Sequence, residues 1–66
     1  MNIFVNGETQ EVSQNFTAED LVNKLELQNT KIAMEVNQEI VPRSQYNNHA
    51  FQEGDKVEIV RAIGGG

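Results

Sequence analysis

The chain contains no cysteine. That excludes disulfide staples, thiolate zinc sites and a thiol nucleophile, and it suits a reducing compartment. Basic residues are scarce: five Lys and Arg stand against ten Asp and Glu, a formal charge of −5. A field of that sign repels phosphate backbones and favours a partner with a basic surface, so nucleic acid is not an expected ligand. No apolar run approaches the ~20 residues of a membrane-spanning helix, which argues against a membrane partner. The opening Met1-Asn2-Ile3-Phe4 lacks the basic-then-apolar build of a secretory signal. The expected location is the cytoplasm. Histidine occurs once, as His49 in a polar stretch beside Asn47 and Asn48. With no partners at suitable spacing, it reads as a surface side chain and neither a metal site nor a histidine-based catalytic site is expected. No glycine-rich loop joins a strand to a helix, so a phosphate cradle is not supported either. The adjacent acids Glu19 and Asp20 are explained by their place in the first turn of a helix. The side chains therefore suggest no catalysis and no cofactor bound by this chain.

What is present suffices for one small domain. Of 66 residues, 38% are apolar, enough for a single core. A chain of this size hides only about 60% of its unfolded surface, so that core is expected to be marginal. No linker, repeat or low-complexity tract divides it. The one compositional break is Gly64-Gly65-Gly66, which sets a folded domain at 1–63 apart from a flexible glycine tail at 64–66.

Met1, Ile3 and Val5 alternate with Asn2, Phe4 and Asn6, the period of a strand with one buried face. Asn6-Gly7 is a strong hairpin turn, because both residue types tolerate positive φ, and Glu8 to Val12 return as a second strand. Thr17 is positioned to cap a helix over about 18–27, with Asp20 as its capping-box partner and Phe16 and Leu21 at hydrophobic-staple spacing. Ala18, Leu21, Val22 and Leu25 form its apolar stripe, and Asn29 is read as its left-handed cap. Ile32 to Val36 is a third strand, Asn37-Gln38 a turn, and Ile40-Val41 a short fourth strand stopped by Pro42. Arg43 to Ala50 is polar apart from Tyr46 and holds a short turn of helix; Arg43 is read as holding the Pro42 turn or touching a partner, the structural role being preferred. Glu53-Gly54-Asp55 turns the chain into a last strand, Lys56 to Ile63, with Val57 and Ile59 inward and Glu58 and Val60 outward. The order ββαββ, turn, β predicts an α+β fold: a mixed sheet of four to five strands covered on one face by one main helix. That is the outline of a β-grasp, or ubiquitin-like, domain.

The tail is the feature with chemical content. Three glycines directly follow the last strand. Without Cβ atoms such a tail is slim enough for a channel that excludes other residues. It reaches roughly 10 Å at ~3.3 Å per residue. A terminal α-carboxylate, once adenylated, is an electrophile for sulfur or nitrogen. Beside the tail, Phe4, Val60 and Ile63 are candidates for an apolar docking patch, and Glu35 and Glu58 are acids for a basic partner surface.

The residues resemble the ThiS sulfur carriers of thiamine biosynthesis over essentially the whole chain. The resemblance is carried by Val36-Asn37-Gln38-Glu39-Ile40-Val41-Pro42-Arg43, by Glu53-Gly54-Asp55-Lys56-Val57-Glu58-Ile59-Val60, by the terminal Gly64-Gly65-Gly66 and by the opening Val5-Asn6-Gly7. It implies a protein co-substrate and not an enzyme. A ubiquitin-activating-type adenylyltransferase, using ATP and magnesium, would admit the tail through Gly64 and Gly65 and adenylate Gly66. Sulfur relayed from a cysteine desulfurase would convert Gly66 to a thiocarboxylate, and thiazole synthase would consume that sulfur. Three other readings use the same residues: a β-grasp sulfur carrier of another, molybdopterin-type pathway, a ubiquitin-like modifier, or an acidic interaction domain with an inert tail.

Overall fold

A computed structural model describes residues 1–62. Five strands, one α-helix and one 3-10 helix follow in the order β1 (Asn2–Val5), β2 (Glu8–Glu11), α1 (Ala18–Lys24), β3 (Ile32–Val36), β4 (Glu39–Val41), the 3-10 helix (Arg43–Asn48) and β5 (Lys56–Arg61). The strands make one mixed sheet in the order β2-β1-β5-β3-β4. Two antiparallel hairpins flank β5, which pairs parallel with β1 and antiparallel with β3. The β-grasp architecture read from the sequence is the one observed.

Both hairpins close through residues at positive φ, as a twist-matched two-residue turn requires: Asn6 at 50° and Gly7 at 86°, then Asn37 at 52° and Gln38 at 71°. The helix start follows its sequence signature. Thr17 Oγ1 accepts from the Asp20 N–H at 3.1 Å, and Asp20 Oδ2 accepts from the Thr17 N–H at 3.0 Å, completing the capping box. The His49 carbonyl accepts the Ala18 N–H at 2.9 Å, so the polar stretch after the 3-10 helix also serves the helix terminus.

The helix end differs from expectation. It stops at Lys24 with Leu25 as C-cap, and the left-handed residue is Glu26 (φ 58°), not Asn29. Leu27 N–H donates to the Val22 carbonyl at 2.9 Å and Glu26 N–H to that of Asn23 at 3.1 Å, a Schellman closure. That closure swings Leu27 into the core and leaves Leu25 37% exposed. The apolar stripe is therefore Ala18, Leu21 and Val22 continued by Leu27, with Leu25 outside it. Helix periodicity cannot carry a residue inward once the backbone has turned.

The helix packs on one face of the sheet against Ile3, Val5, Met34, Val36 and Val57, with Tyr46 and Phe51 closing one side. Phe51 stacks on Phe16 with ring centroids 6.5 Å apart, and its N–H donates to the Phe16 carbonyl at 2.8 Å. Leu21 is fully buried. Leu21→Ala is expected to cost about 2–5 kcal/mol in denaturant melts, whereas Leu25→Ala should cost less than about 1 kcal/mol. Equal losses for the two would show that the helix extends past Lys24.

Candidate functional site

Ile63, Gly64, Gly65 and Gly66, which carry the proposed carrier residue, its channel segment and one docking residue, lie outside the described residues. What the structure does describe is the strand that leads to them. β5 occupies the middle of the sheet, and its interior comes from period-two alternation: Val57 is buried and Ile59 half-buried, while Lys56, Glu58 and Val60 face away from the helix. The strand ends with Arg61 paired to Ile32, and the Ala62 N–H donates to the Lys31 carbonyl at 2.9 Å.

Two turn asparagines hold β5 from opposite edges. Asn37 Oδ1 accepts the Lys56 N–H at 3.0 Å, its own N–H donates to the Lys56 carbonyl at 2.7 Å, and its Nδ2 donates to Asp55 Oδ1 at 3.0 Å. On the other edge, Asn6 Oδ1 accepts the Ile59 N–H at 2.9 Å and Asn6 Nδ2 donates to the Ile59 carbonyl at 3.3 Å. Sequence reasoning identifies both asparagines as turn formers and misses them as clamps. Nothing local signals a contact spanning more than fifty residues, as that between Asn6 and Ile59 does.

Arg43 makes structural contacts, to the loop before β3 and not to the Pro42 turn. Its guanidinium donates to the Gln28 carbonyl at 2.8 Å and the Thr30 carbonyl at 3.1 Å, and lies 5.8 Å from the Tyr46 ring centre. It thereby ties the 3-10 helix to the loop that supplies Lys31 beneath Ala62. Burial raises the pKa of the Tyr46 hydroxyl, with Arg43 opposing that shift. His49 packs edge-on against Phe51, with ring centroids 5.5 Å apart. Among the described residues, no three His, Cys, Asp or Glu side chains gather as a metal site.

The two docking candidates within the described residues share the sheet face opposite the helix. Phe4 is 37% exposed and Val60 61% exposed. Phe4 stands opposite Lys56, so four β5 residues, ~13 Å at 3.3 Å per residue, separate it from Val60, with Glu58 between. Ile40, 71% exposed and opposite Glu35, adds an apolar side chain to that face that the sequence reading did not single out. Glu35 and Glu58 are direct cross-strand partners.

A single helix lying across a mixed sheet whose last strand is central defines a ubiquitin-like β-grasp protein. The family model described as the ThiS family matches residues 3–66. The Escherichia coli sulfur carrier protein ThiS is 32% identical over 66 residues, the full length of both chains. A crystal structure of a thiamine biosynthesis protein (ThiS) from Geobacter metallireducens superposes with a TM-score of 0.84 at 28% identity, covering all of both chains. The chain belongs to the ThiS family. It is also 46% identical, over its whole length, to a thiazole synthase of Paramagnetospirillum magneticum, of which it spans 20%. No helix among the described residues is long and apolar enough to cross a membrane.

Arg43→Ala is expected to lower stability by about 1–2 kcal/mol, through loss of two charge-assisted bonds at an exposed site and of the guanidinium's place over the Tyr46 ring. Arg43→Lys should recover only part, because an ammonium cannot fork between two carbonyls in a plane. Equal stability of all three chains in urea would remove the clamp.

Proposed function

We propose that this chain is a sulfur carrier of thiamine biosynthesis, a protein co-substrate whose reactive group is the carboxylate of Gly66. The observation that carries this reading is the family match, which runs through the last strand to residue 66 and includes the glycines. Two full-length relatives, a sulfur carrier protein and a thiamine biosynthesis protein, support the same pathway. The thiazole synthase that shares a segment similar to this chain supports thiazole synthase as the consuming partner.

The chemistry of the reading is that of an activated acyl group. An adenylyltransferase of the ubiquitin-activating type binds the carrier and holds ATP and magnesium. The Gly66 carboxylate attacks the α-phosphorus, pyrophosphate leaves, and an acyl-adenylate forms. A persulfide charged by a cysteine desulfurase then displaces AMP to give an acyl disulfide. A thiol of the relay protein cleaves that S–S bond and leaves as a disulfide, and the released thiocarboxylate supplies thiazole synthase. This chain contributes reach, slimness and recognition. Gly64 and Gly65 pass the channel because they lack side chains. The face bearing Phe4 and Val60, together with Ile63 later in the sequence, docks the activating partner, and the surplus of acids complements a basic surface there.

Deleting Gly65 and Gly66 should abolish partner-catalysed pyrophosphate exchange while leaving the melting temperature unchanged, since it withdraws the carboxylate by roughly 7 Å. Intact mass after incubation with the activating enzyme, ATP and a sulfur source should show one oxygen replaced by sulfur in the full chain only. Normal exchange with the shortened chain would instead leave an acidic interaction domain. Val60→Asp tests the docking face: because the side chain is exposed, it should cost about 1 kcal/mol or less in stability yet weaken adenylation. Parallel loss of circular dichroism and activity would instead place Val60 in the core.

A further inference from the structure

We propose that the Asn6 carboxamide is a positioning residue for the glycine tail, holding β5 at the last place where its β1 edge has a partner. The inference rests on the carrier reading above for what the tail does, and on the geometry of β1 and β5 for how it is held.

β1 pairs with β5 only at Phe4–Lys56 and Val5–Val57. The chain then turns away at Asn6-Gly7, while β5 continues to Arg61. A longer first strand would have given Ile59 a backbone partner on that edge. The Asn6 side chain supplies one instead, accepting the Ile59 N–H at 2.9 Å and donating to the Ile59 carbonyl at 3.3 Å. A carboxamide carries the same donor and acceptor as a peptide group, so β5 receives one more rung than β1 has backbone to give. The Asn6 N–H meanwhile donates to the Val57 carbonyl at 2.8 Å, so one residue fills two successive places on the edge. On the opposite edge the last described rung is Ala62 N–H to Lys31.

The turn itself does not require asparagine. Gly and Asp also serve at a first turn position with positive φ. Only the clamp uses both ends of the amide. Its consequence for the tail is entropic: with the β1 edge of β5 already held at Ile59, that edge need not be ordered when a partner takes up the tail. If the clamp is lost, that cost enters the binding step and appears in KM, while the chemistry at Gly66 and hence kcat stay as they were.

Asn6→Gly isolates the amide, because glycine keeps the turn and leaves the backbone bond to Val57 available. Amide hydrogen exchange is measured at Ile59 and Ala62 with Met34 as internal reference, alongside pyrophosphate exchange by the activating enzyme. The expected result is about tenfold faster exchange at Ile59 relative to Met34, a smaller acceleration at Ala62, and a KM for the chain raised about three- to tenfold at unchanged kcat. Asn6→Asp retains the acceptor for the Ile59 N–H but not the donor, and should fall between; it is read in the same way should the glycine chain fail to fold. Unchanged exchange at Ile59 would overturn the clamp. Faster exchange with an unchanged KM would make it structural only and overturn the positioning role. If the unaltered chain supports no pyrophosphate exchange, the carrier reading fails on its own, and the amide rates at Ile59 and Ala62 still decide whether Asn6 holds β5.

Discussion

β5 joins the sheet last in chain order yet lies in its middle, so the first and final strands must meet across nearly the whole chain before the β1–β2 hairpin gains a neighbour. Closing so long a loop carries an entropic cost that local turns do not. The parallel pairing of β1 with β5 offsets it by placing Ile3 and Val5 beside Val57 under the helix, all three buried. The β1–β2 hairpin joins the rest of the sheet only through this contact. The helix, too, has a continuous platform only when Met34 and Val36 of β3 are drawn in on the far side of β5.

The two hairpin turns show how little material such a small domain spends on joining its parts. Each turn needs positive φ, which favours asparagine over most residues with a side chain. Each asparagine then uses its amide on β5, Asn37 at Lys56 and Asn6 at Ile59. Local turn chemistry and long-range strand pairing are thus satisfied by the same two residues. The Arg43 guanidinium does comparable work on the loop before β3, where the Gln28 and Thr30 carbonyls have no strand to pair with.

Strands and turns were legible from the sequence because each rests on near neighbours. The alternation of Ile3 and Val5, the Asn-Gly pair and the Thr17–Asp20 box need nothing beyond a few residues to be read. Leu25 was misread because the stripe rule assumes that the helix continues; only the left-handed turn at Glu26, a residue type with no special taste for that conformation, reveals that Leu27 takes the inward place. Phe51 was passed over as a core residue because it sits alone in a polar stretch, and its partner Phe16 lies on the far side of the helix in sequence. The candidate site divides the same way. The tail was visible as composition, whereas the clamps that hold its root depend on contacts that no local window contains.

Along β5 the side chains are given up to solvent before the backbone is. Val57 is buried, Ile59 half-buried, and Val60, Arg61 and Ala62 exposed, although pairing with β3 runs to Arg61 and the Ala62 N–H is still held. Burial therefore constrains residue choice up to about Ile59, and backbone bonds alone hold the last three described positions. Those bonds are indifferent to side-chain identity, so the core places no demand on residues 60–62. A domain with so little core cannot spare buried residues for recognition. By letting the backbone hold the strand's end while its side chains stay exposed, the fold keeps the stability of that end off its side chains.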